Sequence, residues 1–295
     1  MRKKGERFMK YSQKLCSALL ISFVIWKSPA TVSADGAISL NVALKDELET
    51  RSQYVTFDVV AKINDEKAED DFVTVTNNGK AVKINWSDTD KTSYTLTLEE
   101  GINEVIVTIK NGDKMMQEVR HIEYIPAAVG EIIGHYIFSM DAAVAGMGYL
   151  IEPRQLPIVN GANAAYHLKD ALEEEGFTFD FTGNLDQNFY LSTVYDGNLE
   201  GKVNHQFPED IENVLPDEGF DLNYDFDLDW GLGEFVFTYG SGWMYSVNNT
   251  FPNVGFADYY LLDGDVMRVQ FTLAYGADLS GNNSSMMGGG HYFGI

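Results

Sequence analysis

Residues 38–126 alternate between apolar and polar positions with the period of half-buried β-strands. Tyr54–Ala61 and Glu104–Ile109 follow this alternation closely. Asn-Gly pairs at 78–79 and 111–112 supply the positive φ that tight hairpin turns need. About seven short strands in a segment of this length are typical of a sandwich. The pattern therefore predicts an immunoglobulin-like β-sandwich over residues 38–126.

The pattern changes after a predicted linker at residues 127–133. A helix is predicted from Asn163 to Glu175, with Asn163 as its N-cap, an apolar stripe at Ala165, Leu168 and Leu172, and Gly176 at its C-terminal end. Strands are predicted around this helix at 135–140, 148–159, 189–194, 234–239, 240–248 and 266–273. We expect a mostly β chain of two domains, the second an α+β domain of β-grasp type over residues 134–276, with one helix on a mixed sheet of about five strands.

Two parts of the chain carry family resemblances. The stretch from Leu98 to Tyr124 resembles the bacterial immunoglobulin-like and cadherin-like repeats of surface proteins. Such repeats usually act as spacers, so no ligand is assigned to this half. Three later segments, Gly148–Pro153, Ser241–Asn248 and Asp258–Phe271, together resemble the small C-terminal domain of transcobalamin and intrinsic factor. Exported Gram-positive proteins carry many uncharacterised domains of this type.

The resemblance to transcobalamin implies a ligand site around the Gly-Trp-Met-Tyr-Ser-Val-Asn run at residues 242–248. On a strand, Trp243, Tyr245 and Val247 share one face and Met244, Ser246 and Asn248 share the other. One of these two faces must belong to the core. Trp243 therefore either contacts the ligand or packs in the core. The candidate ligand-binding residues are Tyr149, Trp243, Tyr245, Asn248 and Phe251.

The same resemblance suggests a corrinoid-like small ligand. In the transcobalamin group this domain covers one face of cobalamin, and a large helical barrel makes most of the other contacts. The sequence contains no counterpart of that barrel, so the resemblance implies the fold more directly than the ligand.

An acidic segment offers a second candidate site, for calcium. Alternating oxygen-bearing side chains would line one face of a strand, and such oxygens suit a hard cation; these residues are Asp221, Asn223, Asp225, Asp227 and Asp229. The segment matches an EF-hand loop at its first, third and fifth positions. Phe226 replaces the glycine and Leu232 replaces the glutamate of that loop, so an amphipathic acidic strand is the alternative.

The N-terminus predicts export. Basic residues precede the apolar run Leu15–Trp26, and Val32-Ser33-Ala34 resembles a cleavage site, so residues 1–34 are predicted to be a signal peptide. The apolar run is shorter than the ~20 residues that a membrane-spanning helix needs. Cleavage would remove Cys16, the single cysteine. At the other end, residues 277–295 are rich in Gly, Asn and Ser and are predicted to be disordered.

Charge and missing motifs narrow the function. The chain has a formal net charge of −23, and residues 134–295 hold four basic residues against 24 acidic ones. This acidity disfavours nucleic acid and anionic membranes as partners. The five histidines show no metal-ligand spacing, and no catalytic motif is recognisable. We expect a secreted, non-catalytic binding protein for a small molecule; the alternative is an adhesive surface module for a protein or cell-wall polymer.

Overall fold

The computed structural model describes residues 37–195, 207–216, 218–223 and 231–279. The signal peptide predicted for residues 1–34 lies outside these ranges and stays a prediction. The chain is mostly β, and its buried apolar side chains form two clusters. One cluster belongs to residues 42–124 and the other to residues 136–279.

The first cluster lies between two five-stranded sheets, which form the predicted sandwich. The first sheet consists of β1 (Ile38–Val42), β3 (Tyr54–Ile63), β4 (Glu66–Lys67), β7 (Ile84–Ser87) and β8 (Thr92–Thr97). The second consists of β2 (Leu48–Thr50), β5 (Val73–Asn77), β6 (Lys80–Ala81), β9 (Gly101–Asn111) and β10 (Lys114–Tyr124). Both sheets contribute to the core, since Phe57 of β3 and Val107 of β9 are both buried.

The Asn-Gly turns form the hairpins that the sequence predicts. Asn78 and Gly79 both have positive φ, at 50° and 75°, between β5 and β6. Gly112 has a φ of 59° between β9 and β10, which then pair along their whole length. Positive φ at these positions gives a two-residue turn the twist that matches its strands.

The second cluster is organised by a four-stranded mixed sheet. Its strands are β11 (Ile132–Asp141), β12 (Tyr149–Val159), β16 (Gly242–Val247) and β17 (Val266–Thr272). The order is β12-β11-β17-β16, with β11 and β17 parallel at the centre and each outer strand antiparallel to its neighbour. The first and last strands of the domain are thus central neighbours, which is the β-grasp arrangement.

A second, three-stranded sheet and two helices complete this domain. The sheet consists of β13 (Thr178–Asn184), β14 (Gln187–Tyr195) and β15 (Leu232–Gly233), and the helices are α1 (Ala164–Glu174) and α2 (Glu209–Val214). The sequence pattern predicts only the first of these helices. Within the described ranges, neither helix is long and apolar enough to cross a membrane. The compact part continues past residue 276, because Asp278 and Leu279 are buried; residues 280–295 lie outside the described ranges.

Helix α1 has the termini that its sequence predicts. The Asn163 side chain accepts hydrogen bonds from the backbone N–H groups of Ala165 and Tyr166 at 3.0 and 3.3 Å. Gly176 ends the helix with a φ of 81°. The glutamates in its last turn oppose the helix dipole, and ion pairs compensate for them. Arg154 of β12 pairs with Glu174 and Glu175, and Lys169 pairs with Glu173.

The strand predicted at residues 234–239 is wrong. The segment forms turns, and Phe235 and Phe237 have φ of 63° and 73°, which no strand residue adopts. Side-chain hydrogen bonds hold this conformation: Ser241 Oγ accepts from the Thr238 N–H at 3.2 Å, and it also bonds to the Val236 carbonyl. The aromatic residues of this segment lie two positions apart, which matches the two-residue period of a strand, and this spacing led to the wrong prediction.

Gly240, which precedes β16, is required by packing. Its φ is not positive, so the backbone conformation does not demand a glycine there. A Cβ at Gly240 would lie 2.3 Å from the Phe220 ring. Close approach of an aromatic ring, rather than backbone freedom, therefore explains the glycine.

Replacement of Asn163 by Ala should destabilise the second domain. The Asn163 amide also donates to the carbonyls of Leu185 and Ala257 at 2.8 and 3.0 Å, so its loss removes the helix cap and leaves buried carbonyls without partners. We expect a loss of about 2–3 kcal/mol in the free energy of unfolding, measured by urea titration. Asn41→Ala, at an exposed position of β1, is the matched control and should change little. Equal effects of the two substitutions would contradict this role.

Candidate functional site

The two domains are joined by hydrogen bonds centred on Lys91. Its ammonium group lies 2.8 Å from Asp58 Oδ2 in the sandwich and donates to the Phe251 carbonyl of the second domain at 2.7 Å. The Lys91 and Asp58 side chains are only 13% and 16% exposed. Tyr54 also stacks on Tyr260 across the interface, with ring centroids 4.5 Å apart. These contacts fix the loop that follows β16 against the sandwich.

A cleft of about 520 Å³ lies beside this contact. It is bordered by β7 of the sandwich, by β14 and β16, and by the loop at residues 251–258. Its volume lies within the range of ~300–1,000 Å³ that is usual for small-molecule sites. The residues that line it are mostly aromatic or apolar; the aromatic ones are Trp86, Phe189, Tyr190, Trp243, Tyr245, Phe251 and Phe256.

Part of this lining consists of rings that pack on one another and are fixed by hydrogen bonds. Tyr245 stacks on Phe256 with centroids 4.1 Å apart, and its hydroxyl donates to the Val254 carbonyl at 2.8 Å. Burial raises the pKa of Tyr245 well above its usual value. The Trp243 indole N–H donates to the Leu232 carbonyl at 3.0 Å, and the side chain is 5% exposed. Trp243 and Tyr245 therefore belong to the core and also line the cleft.

Two aromatic side chains of the cleft remain accessible to solvent. Trp86 of β7 is 53% exposed, and its side chain makes no hydrogen bond or ring contact with the described residues. Tyr190 of β14 is 40% exposed. Burial of part of its side chain raises the pKa of Tyr190, and so does the neighbouring Glu234 carboxylate, which accepts a hydrogen bond from the Tyr190 hydroxyl. Such exposed rings offer their faces to a ligand.

The polar groups of the cleft are amides and one carboxyl group. The Asn85 amide donates to Thr95 Oγ1 at 3.1 Å, and the Asn253 amide donates to the Lys91 carbonyl at 3.4 Å. Asp258 is the one acidic residue among the described lining residues, which include no Lys, Arg or His. Partial burial raises the pKa of its carboxyl group. The lining thus combines exposed ring faces with amide and carboxyl oxygens.

The structure brings three of the five predicted ligand-binding residues to this cleft: Trp243, Tyr245 and Phe251. Tyr149 does not line it and stands exposed at the start of β12. Asn248 does not line it either. It has a φ of 53° and donates to Asp265 at 2.8 Å, which shapes the turn after β16.

Sequence reasoning missed Trp86 and Tyr190. Ile84 and Trp86 lie two positions apart in one strand, and both are exposed. Two large apolar residues on the outer face of a strand could have indicated a contact surface there. The interpretation of the sandwich as a spacer left them without a role. Tyr190 was assigned to a strand, without a role.

The calcium hypothesis rests mainly on residues that the structure does not describe, and it stays a prediction. Asp221 and Asn223 are exposed, and Asp225, Asp227 and Asp229 lie outside the described residues. The Asn223 backbone N–H donates to the Phe237 carbonyl at 2.7 Å. Within the described ranges, no three His, Cys, Asp or Glu residues are grouped so that they could hold a metal ion.

A family model matches part of the region that lines this cleft. It is the model described as a domain of unknown function, DUF4430, and it matches residues 234–273. This match covers β16, the loop after it and β17. Among curated proteins, none matches the chain significantly.

Solved structures resemble about a third of the chain each. An endo-β-1,4-mannanase from Thermotoga petrophila has a TM-score of 0.26 and 12% identity, with 33% of this chain and 22% of that chain covered. Fibronectin(III)-like modules of Clostridium thermocellum CbhA have a TM-score of 0.24 and 15% identity, with 31% of this chain and 48% of that chain covered. The titin M4 structure has a TM-score of 0.24 and 11% identity, with 31% of this chain and 98% of that chain covered. The matches span about a fifth of the mannanase chain and about half of the CbhA chain.

Replacement of Lys91 by Met should destabilise the junction between the domains. Asp58 would keep its largely buried carboxylate but lose its cation, and the Phe251 carbonyl would lose its donor. We expect a loss of about 2–4 kcal/mol in the free energy of unfolding, measured by urea titration.

Lys80→Met is the matched control for this prediction. Lys80 and Glu99 form an ion pair whose side chains are 75% and 54% exposed. Loss of this exposed pair should change the free energy of unfolding little. In the double variant Lys91→Met/Asp58→Asn, the lone buried charge is removed and part of the stability should return. Equal stabilities of Lys91→Met and Lys80→Met would show that the interdomain contact contributes nothing.

Proposed function

We propose that this chain is a non-catalytic extracellular binding protein that holds a small ligand in the cleft between its two domains. The observation that carries the proposal is the exposed Trp86 on one side of an aromatic cleft whose other side is fixed in the core of the second domain. A concave, mostly apolar site with a few convergent polar groups is the usual form of a small-molecule site. Export, which the N-terminal sequence predicts, supports the extracellular location.

The resemblance to the transcobalamin C-terminal domain supports the same proposal, because it implies a ligand site in the region that lines the cleft. The residues of that resemblance at 241–248 include Trp243 and Tyr245, which line the cleft. A corrinoid-like ligand is one candidate. The cleft, at about 520 Å³, would hold only part of such a large ligand and leave the rest in solvent.

An adhesive surface module is the second candidate, and exposed apolar side chains favour it. Met115 and Val119 of β10 and Ile102 of β9 are exposed, and the pairing of the two strands places them along one outer face of the sandwich. Exposed apolar side chains that share a face can form a protein interaction site. This candidate would place the partner on the sandwich, away from the cleft.

Thermal-shift measurements with three soluble probes test the small-ligand proposal. The probes are cobinamide as a corrinoid, cellobiose as a neutral saccharide and choline as an organic cation. We expect at least one probe to raise the Tm of the protein and Trp86→Ala to abolish that rise. Trp86→Ala should leave the Tm without ligand almost unchanged, because its side chain is half exposed and has no partner among the described residues.

Ile102→Ala serves as the control, since Ile102 is equally exposed in the sandwich but does not line the cleft. It should respond to the probes as the wild-type protein does. If no probe raises the Tm, or if Trp86→Ala retains the full rise, the small-ligand proposal fails and the adhesive alternative is favoured.

A further inference from the structure

We propose that the ligand of the cleft carries an organic ammonium group, which binds against the accessible aromatic rings and the Asp258 carboxylate. This inference rests on the proposed function and names its ligand class. A cation placed over an aromatic face is attracted by the negative charge of the ring face. Trp86 and Tyr190 supply faces that other rings of the described chain do not cover.

The charges around the cleft favour a cation. Asp258 is the one charged residue among the described lining residues, and no described side chain forms a salt bridge or hydrogen bond with its carboxylate. Asp258 is exposed to solvent and lines the cleft, so its carboxylate is accessible to a cationic ligand. The whole chain, with a net charge of −23, also attracts cations to its surface.

An anionic ligand fits this lining poorly. Lys91 supports the loop that borders the cleft, but its ammonium group is held between Asp58 and the Phe251 carbonyl. No other basic side chain is among the described lining residues. An anion would therefore lie near the Asp258 carboxylate without a compensating positive charge.

A neutral saccharide fits less well than a cation because two of the three lining amides already use one N–H donor within the protein. The Asn85 and Asn253 amide groups donate to Thr95 and to the Lys91 carbonyl within the protein. Among the described lining residues, Asn188 is the remaining amide. The hydroxyl groups of a sugar ring would find few donors, whereas an ammonium group needs only acceptors and ring faces.

Calorimetric titration with choline and with 3,3-dimethylbutan-1-ol tests the inference. The two molecules have nearly the same shape, but the second replaces the quaternary nitrogen with carbon and has no charge. Choline should bind about 5- to 30-fold more tightly than the neutral analogue, which corresponds to the usual strength of a partly desolvated cation–π contact.

Three variants assign the binding to the cleft. Trp86→Leu should weaken choline binding at least fivefold, and Trp86→Phe should retain part of the affinity because it keeps a ring face. Asp258→Asn should reduce the preference for choline over the neutral analogue. Asp113→Asn, an exposed acid in the β9–β10 turn, is the control for total charge and should bind choline as the wild-type protein does.

The possible results distinguish this inference from the function on which it rests. If both molecules bind equally, or if cobinamide or cellobiose binds in a Trp86-dependent way and choline does not, the cleft is a ligand site but the ammonium inference is wrong. If Asp113→Asn weakens binding as much as Asp258→Asn, the attraction comes from the net charge and not from the cleft. If none of the probes binds, both proposals are wrong.

Discussion

The ammonium group of Lys91 joins the two domains, and the cleft depends on it. A lysine that is largely removed from water needs an anion and further acceptors to offset its lost hydration. Asp58 supplies the anion from the sandwich, and the Phe251 carbonyl supplies an acceptor from the second domain. Because the two acceptors come from different domains, satisfying this one charge also fixes the loop at residues 251–258 against the sandwich. Ser93 donates a further hydrogen bond to Asp58, which holds the carboxylate in place.

The β-grasp sheet provides the rigid side of the cleft. β16 is an outer strand, and its pairing with β17 sets Trp243 opposite Phe271 and Tyr245 opposite Val269. These side chains are buried, and hydrogen bonds to Leu232 and Val254 fix the two aromatic rings. The rings that line the cleft from this side therefore do not need to be ordered by a ligand, which lowers the entropy cost of binding.

Local chemistry explains what the sequence could predict. The cap at Asn163, the end of α1 at Gly176 and the Asn-Gly hairpins each depend on a few adjacent residues, so their patterns are visible in the chain. The position of Trp243 and Tyr245 in the site followed from a family resemblance. The contribution of the sandwich could not be predicted in this way, because Lys91 and Phe251 are 160 positions apart and only the folded chain brings them together. The prediction of a strand at Glu234–Tyr239 was wrong for the opposite reason. The local pattern of this segment suited a strand, but hydrogen bonds around Ser241 impose turns.

The most direct test of this account is the distance between the two domains, measured by electron spin resonance on a doubly spin-labelled protein. Cys16, the single cysteine of the chain, precedes the described residues, so a protein that begins at Asp35 can be labelled selectively at introduced cysteines. Labels at Glu123→Cys in the sandwich and Asp170→Cys in α1 occupy exposed positions. With Lys91 intact, the two labels should give one narrow distance distribution, and this distribution should broaden in the Lys91→Met variant. A broad distribution in the protein with Lys91 intact would mean that the domains move independently, and it would contradict a cleft shared between them.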